Sequence, residues 1–140
     1  MTPAEAKIAL QFHAFSHPDL ENERAKKGFL GSLRPYQGHL IEANFHEVMQ
    51  ALYVLSSELT SGALVDRRVV SDVLTIIHLG RAWGVYPDGM LRSNGLISDQ
   101  DIEKLDQWIH CVQYAVMCLL QGLEDEGFEE YREYCEGDSS

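Results

Sequence analysis

The residues best suited to metal chemistry are histidines and acids placed at helical spacing along the chain. His39, Glu42 and His46 lie close together in sequence, and His78 and His110 belong to later segments. Imidazole and carboxylate groups from facing helices can bind transition metals in helical bundles. A metal-binding helical bundle is therefore one alternative hypothesis. Bundle carboxylate sites use Glu-x-x-His, however, whereas Glu42 and His46 are four residues apart, so the sequence assigns no metal ligand and no cofactor.

Arg34 and His39 frame the motif Arg-Pro-Tyr-Gln-Gly-His. A histidine beside a phosphate-binding arginine could cleave RNA by general acid–base catalysis. The spacing, Arg-x4-His, resembles that of ribonucleases built on the HEPN four-helix bundle. That resemblance implies a second alternative, a ribonuclease using this pair.

The cysteines give little support to catalysis. Cys111, Cys118 and Cys135 are odd in number and form no CxxC pair, which argues against a disulfide framework or a zinc knuckle and favours a cytoplasmic setting. Cys111 and Cys118 fall on an apolar stripe and are predicted to be packed thiols. Because no Gly-x-Ser-x-Gly elbow or glycine-rich phosphate loop occurs either, the sequence favours a protein that is not an enzyme.

A turn-rich segment near the middle of the chain is the best candidate for a binding surface. It combines aromatic, apolar and arginine side chains of the types that most often anchor protein interfaces. The predicted interaction patch consists of Arg81, Trp83, Tyr86, Met90, Leu91 and Arg92.

Hydrophobic periodicity predicts that helices position these groups in an all-α fold. Residues 39–60 carry one apolar stripe, residues 67–83 are apolar around most of their circumference, and two adjacent stripes follow Ser98. Thr2 is predicted to cap a shorter N-terminal helix. Because a helix with two apolar stripes packs against two neighbours, we expect an irregular up-and-down bundle of about four helices, with a turn-rich loop at 84–98.

Charge divides the 140-residue chain into two parts. Residues 1–123, predicted to be a single bundle domain, hold 10 basic and 14 acidic side chains, whereas residues 124–140 hold one basic and eight acidic. The second part is predicted to be an acidic tail, with a short helix docked on the body as one option. The overall charge of −11 disfavours DNA and anionic membranes as partners.

These features together predict a small, acidic, non-enzymatic protein–protein interaction module, similar in kind to inhibitors or adaptors. Its expected partner is a second copy of itself, as a homodimer, or a basic protein. The start of the sequence lacks the pattern of a signal peptide, and no apolar run reaches the ~20 residues that span a bilayer.

Overall fold

Helices form the regular structure of the protein in the computed structural model, which describes residues 1–138. In chain order they are α1 (Pro3–His13), α2 (Glu23–Lys26), α3 (Glu42–Val54), α4 (Ser56–Thr60), α5 (Arg67–Gly84), α6 (Met90–Ser93), α7 (Asp99–Leu120), α8 (Glu124–Gly127) and α9 (Glu129–Asp138). The described residues contain no strand, and only an isolated bridge joins Leu33 to Tyr36. The predicted all-α bundle is confirmed. None of the described helices is long and apolar enough to cross a membrane.

Side-chain caps explain where the longer helices begin. The Thr2 hydroxyl accepts a hydrogen bond from the Glu5 backbone N–H, and the Glu5 side chain accepts one from the Thr2 N–H, which completes a capping box. Asp66 caps α5 and Ser98 caps α7 in a similar way, each accepting from a backbone N–H of the first turn.

The predicted helix at 39–60 is shorter than expected and is interrupted. It begins at Glu42 and stops at Val54, and a separate short helix follows from Ser56. The Ser56 hydroxyl donates to the Tyr53 carbonyl at 2.7 Å and to Glu124 at 2.9 Å. Such side-chain bonds to the backbone compete with regular helix pairing, and this one coincides with the break. The turn-rich loop at 84–98 likewise contains a short helix, α6.

Antiparallel packing of α5 against α7 forms the centre of the core. Gly80 faces Ile109, and a Cβ atom on Gly80 would lie 2.9 Å from the Ile109 Cδ1 atom. Gly84 faces Leu105 in the same way, one turn further along α5. Because glycine has no side chain, α5 and α7 can approach each other closely at these two positions. The two contacts also set which residues of α5 and α7 lie at the same height along the helix pair.

The acidic C-terminal segment is helical in its described part and packs on the bundle. Phe128 and Tyr134 are buried in the common core. Phe45 stacks on Trp108 with ring centroids 5.3 Å apart, and the edges of Tyr131 and Tyr134 meet the Phe45 ring at 5.4 and 5.2 Å. Aromatic contacts of this kind hold α9 against α3 and α7. Residues 139–140 of the predicted tail lie outside the described residues.

Candidate functional site

The predicted interaction patch surrounds the end of α5, and its members differ in exposure. Tyr86 is 47% exposed, whereas Leu91 is 1% exposed and belongs to the core. Met90 is half-buried and packs against that core. Leu91 therefore cannot contact a partner in the folded protein. The sequence did not predict α6, which turns Leu91 inward.

The charged and indole groups of this patch already have partners within the protein. Arg81 donates a hydrogen bond of 2.7 Å to Gln113 on α7, and Arg92 donates one of 2.9 Å to the Val85 carbonyl. The half-buried Trp83 ring lies beneath the Arg34 guanidinium, with 5.4 Å between the Cζ atom and the ring centroid. Tyr86 is thus the most exposed of the aromatic and apolar side chains in the patch.

Glu42 and His46 belong to a polar network that connects three helices. The Glu42 carboxylate accepts hydrogen bonds from Lys104 at 2.9 Å and from the Tyr134 hydroxyl at 3.2 Å, and it pairs with His46 Nε2 at 3.1 Å. His46 Nδ1 lies 2.7 Å from the Tyr131 hydroxyl. The bond to Lys104, aided by the one to His46, lowers the pKa of Glu42 to about 2 despite partial burial. The network ties α9 to α3 and α7.

The remaining histidines of the metal hypothesis lie apart from this network. His110 pairs with Glu130 at 2.7 Å, His78 is exposed on α5, and His39 lies in the loop before α3. Within residues 1–138 no three His, Cys, Asp or Glu side chains converge on a position that could hold a metal ion. The structure therefore does not bring the five candidate ligands together.

The cysteines are packed thiols in the structure. Cys111 and Cys118 are buried, and Cys135 is partly buried. Burial raises the pKa of the Cys111 thiol to about 11, and the nearby Glu130 carboxylate raises it further. A thiol that stays protonated at neutral pH is a poor nucleophile.

Arg34 and His39 line the same cavity. It has a volume of about 460 Å³, lies between α2 and the start of α3, and is also lined by Lys26 and Lys27. We call it the α2–α3 cavity. Lys26 pairs with Glu21 at 3.3 Å and Lys27 pairs with Glu23 at 3.4 Å. All four side chains in these two ion pairs are at least half exposed to solvent, so each pair contributes little to stability.

Part of the lining of the α2–α3 cavity is apolar. Phe15, Pro35 and Ile41 contribute to it. Phe15 has a φ of +59°, in the left-handed region that residues with a side chain rarely adopt. Backbone strain of this kind is concentrated at functional sites, where the surrounding structure holds it in place.

The charge around the α2–α3 cavity is opposite to that of the chain as a whole. Lys26, Lys27 and Arg34 line the cavity together with one acid, Glu23, in a protein of net charge −11. A comparison of residues 1–123 with residues 124–140 averages out this local excess of basic side chains. Counting charges in a shorter window along the sequence would have found this basic segment. It would not have found the cavity, which forms only when the chain folds.

A second surface feature is an exposed apolar face along α5 and α7. Leu74 on α5 is 54% exposed, and Met117 and Leu120 on α7 are 46% and 44% exposed. In the antiparallel register set by Gly80 and Ile109, Leu74 stands level with residue 115, within a turn of Met117. We call this surface, bounded by Arg67 and Arg81 on α5, the α5–α7 face.

A shallow groove of about 710 Å³ runs along the α5 side of this face. Val70, Leu74 and Leu79 supply its apolar lining, and Arg67 and His78 supply its polar groups. Large exposed apolar side chains in contiguous positions mark surfaces that interact with other molecules. Met117 and Leu120 belong to neither of the two apolar stripes of α7, so the apolar periodicity did not predict this exposed face.

Comparison with known proteins gives no relative from which a function can be transferred. No protein-family model matches the chain, and neither a curated protein nor a solved structure matches it.

Proposed function

We propose that this protein is a non-enzymatic interaction module that pairs with a second copy of itself through the α5–α7 face. The observation that carries this proposal is the exposure of Leu74 on α5 and of Met117 and Leu120 on α7, each more than two fifths exposed, at neighbouring levels of the two packed helices. Burying apolar surface of this kind favours association.

Charge favours a second copy as the occupant of this face. Each copy carries a net charge of −11, so two copies repel one another when they approach through acidic surfaces. The α5–α7 face instead carries Arg67 and Arg81 together with Asp106, which lies 3.8 Å from the Arg81 Nε atom. A two-fold interface places the same patch on both copies, and a patch with both signs of charge is self-complementary.

The oligomeric state measured by size-exclusion chromatography with light scattering tests this proposal. At about 50 µM we expect the mass of a dimer, two copies of the 15.8 kDa chain. Leu74→Glu should give a monomer, because it places a carboxylate in the apolar centre of the interface.

A matched control makes the same leucine-to-glutamate change at a position outside the α5–α7 face. Leu20 lies in the loop before α2 and is 52% exposed, a fraction similar to that of Leu74. Leu20→Glu should leave the dimer intact. A monomeric wild-type protein, or a dimer that survives Leu74→Glu, would refute the proposal. Tyr86→Ala tests the interaction patch predicted from the sequence separately. It should dissociate the dimer only if the interface reaches the loop after α5.

A further inference from the structure

The geometry points to a small-molecule site in the α2–α3 cavity. We propose that this cavity binds an organic oxyanion, in which a phosphate or carboxylate group is attached to an apolar body. The proposal is independent of self-association, since it concerns the loop before α3 and the proposed dimer interface lies on α5 and α7.

Arg34 is the group that recognises the oxyanion. Its guanidinium lies over the Trp83 ring and forms no ion pair with any carboxylate in the described part of the chain. Stacking on an indole restricts the orientation of a guanidinium while leaving its N–H groups available to donate. An arginine presents paired donors that match the two oxygens of a carboxylate or phosphate.

Two lysines increase the positive potential of the cavity, and His39 adds a further hydrogen-bonding group. His39 lines it and forms no hydrogen bond, ion pair or ring contact within residues 1–138, and Lys26 and Lys27 also line it. The acids that pair with the two lysines are mostly solvent-exposed, Glu21 at 91% and Glu23 at 69% of their side chains. A bound oxyanion can replace such weak partners at little cost.

The apolar wall and the volume define the rest of the ligand. Phe15 and Ile41 offer contact surface that an inorganic ion would leave uncovered. The volume of about 460 Å³ falls in the range of sites for small organic molecules. Both observations favour an anion with an apolar body over a bare ion.

Three probes that share a benzene ring test this proposal by isothermal titration calorimetry. Phenyl phosphate and benzoate carry the two candidate oxyanions, and benzyl alcohol is neutral. At least one anion should bind at millimolar concentration or tighter, and each should bind more tightly than the alcohol. The relative affinities of the two anions identify the preferred group. Failure of both anions to bind, or equal affinity for benzyl alcohol, would overturn the proposal.

Two arginine variants locate the site. Arg34→Gln should weaken binding of the preferred anion ~10- to 100-fold, the loss expected for a hydrogen bond to a charged group. Arg132→Gln removes the same charge from α9, where Arg132 donates to the Asp125 carbonyl, and should bind the anion like the wild type. Equal affinities in the two variants would refute the role of Arg34.

Amide chemical shifts provide a readout that does not depend on any variant. On titration with the preferred anion, the backbone signals of Gly31 and Gln37, which line the cavity, should move before those of residues on α9. Shifts confined to other surfaces would refute the location. A single-stranded RNA oligomer, added as a further probe, should not be cleaved. Cleavage that is lost in His39→Ala would overturn the small-molecule proposal in favour of the ribonuclease hypothesis.

Discussion

Replacing Glu42 with glutamine tests the physical account of how the C-terminal helix is held. The Glu42 carboxylate accepts hydrogen bonds from Lys104 on α7 and Tyr134 on α9. Its pKa is lowered from 4.5 to about 2, chiefly by Lys104. Glutamine keeps the shape of the side chain and removes the charge, so its effect isolates the electrostatic part of the network.

The size of the effect follows from the lowered pKa. A change from 4.5 to about 2 corresponds to an upper limit of about 3 kcal/mol at 1.36 kcal/mol per unit. The Glu42 side chain is 31% exposed, and screening by water reduces this limit. We therefore expect Glu42→Gln to lower the free energy of unfolding by roughly 1–2 kcal/mol at neutral pH.

The loss of stability in Glu42→Gln should be larger at neutral pH than at acidic pH. Because the pKa of Glu42 is lower in the folded protein than in the unfolded chain, the ionised carboxylate stabilises the fold fully above pH 4.5. This stabilisation disappears as the pH falls towards 2. Urea denaturation followed by circular dichroism should show a large difference between wild type and Glu42→Gln at pH 7. At about pH 3 that difference should be less than half as large.

An exposed acid on α7 provides the control. Glu103→Gln makes the same chemical change at a solvent-exposed position and should alter the free energy of unfolding by less than about 0.5 kcal/mol at either pH. If Glu42→Gln lowers the stability equally at both pH values, its effect comes from packing and the electrostatic account of Glu42 is wrong.

Two further substitutions probe buried polar groups. Burial raises the pKa of Asp72, so its charged form costs stability as the pH rises through that pKa. In the same urea denaturation, Asp72→Asn should raise the free energy of unfolding at pH 7 and change it little at pH 3, the opposite sign to Glu42→Gln. His13 is 3% exposed, and its Nδ1 accepts from the Phe29 N–H at 2.9 Å. His13→Ala leaves that N–H unpaired and opens a cavity, so thermal denaturation should show a loss of about 2–4 kcal/mol; a loss below about 1 kcal/mol would contradict this.

The fold could be predicted from the sequence where local signals and burial agree. Asp66 and Ser98 cap helices as expected, and the apolar steps of α7 face the core up to Leu119. Periodicity predicts which side of a helix is apolar, but not whether a neighbour covers all of that side. Met117 and Leu120 are exposed because no other described element covers that part of α7.

The candidate sites were less accessible to sequence reasoning, because they depend on how distant segments meet. Arg34 and His39 were singled out by their spacing alone, yet the α2–α3 cavity also needs Phe15 from the end of α1. The indole of Trp83, nearly fifty positions further on, supports Arg34 through a contact that no local pattern encodes. Leu91 was assigned to a surface patch for the same reason, since its orientation depends on α6.

The docking of α9 has a consequence for how the protein is made. Phe45 and Trp108 are covered by Tyr131 and Tyr134, which are synthesised only after all of α3 and α7. Until then a nascent chain with its first seven helices assembled still displays a stacked pair of aromatic rings. Transiently exposed apolar surface is what molecular chaperones recognise and what drives aggregation of incomplete chains. The acidic charges carried by α9 arrive with the two tyrosines, so the step that closes this core also adds charge that disfavours non-specific contacts between finished molecules outside the α5–α7 face.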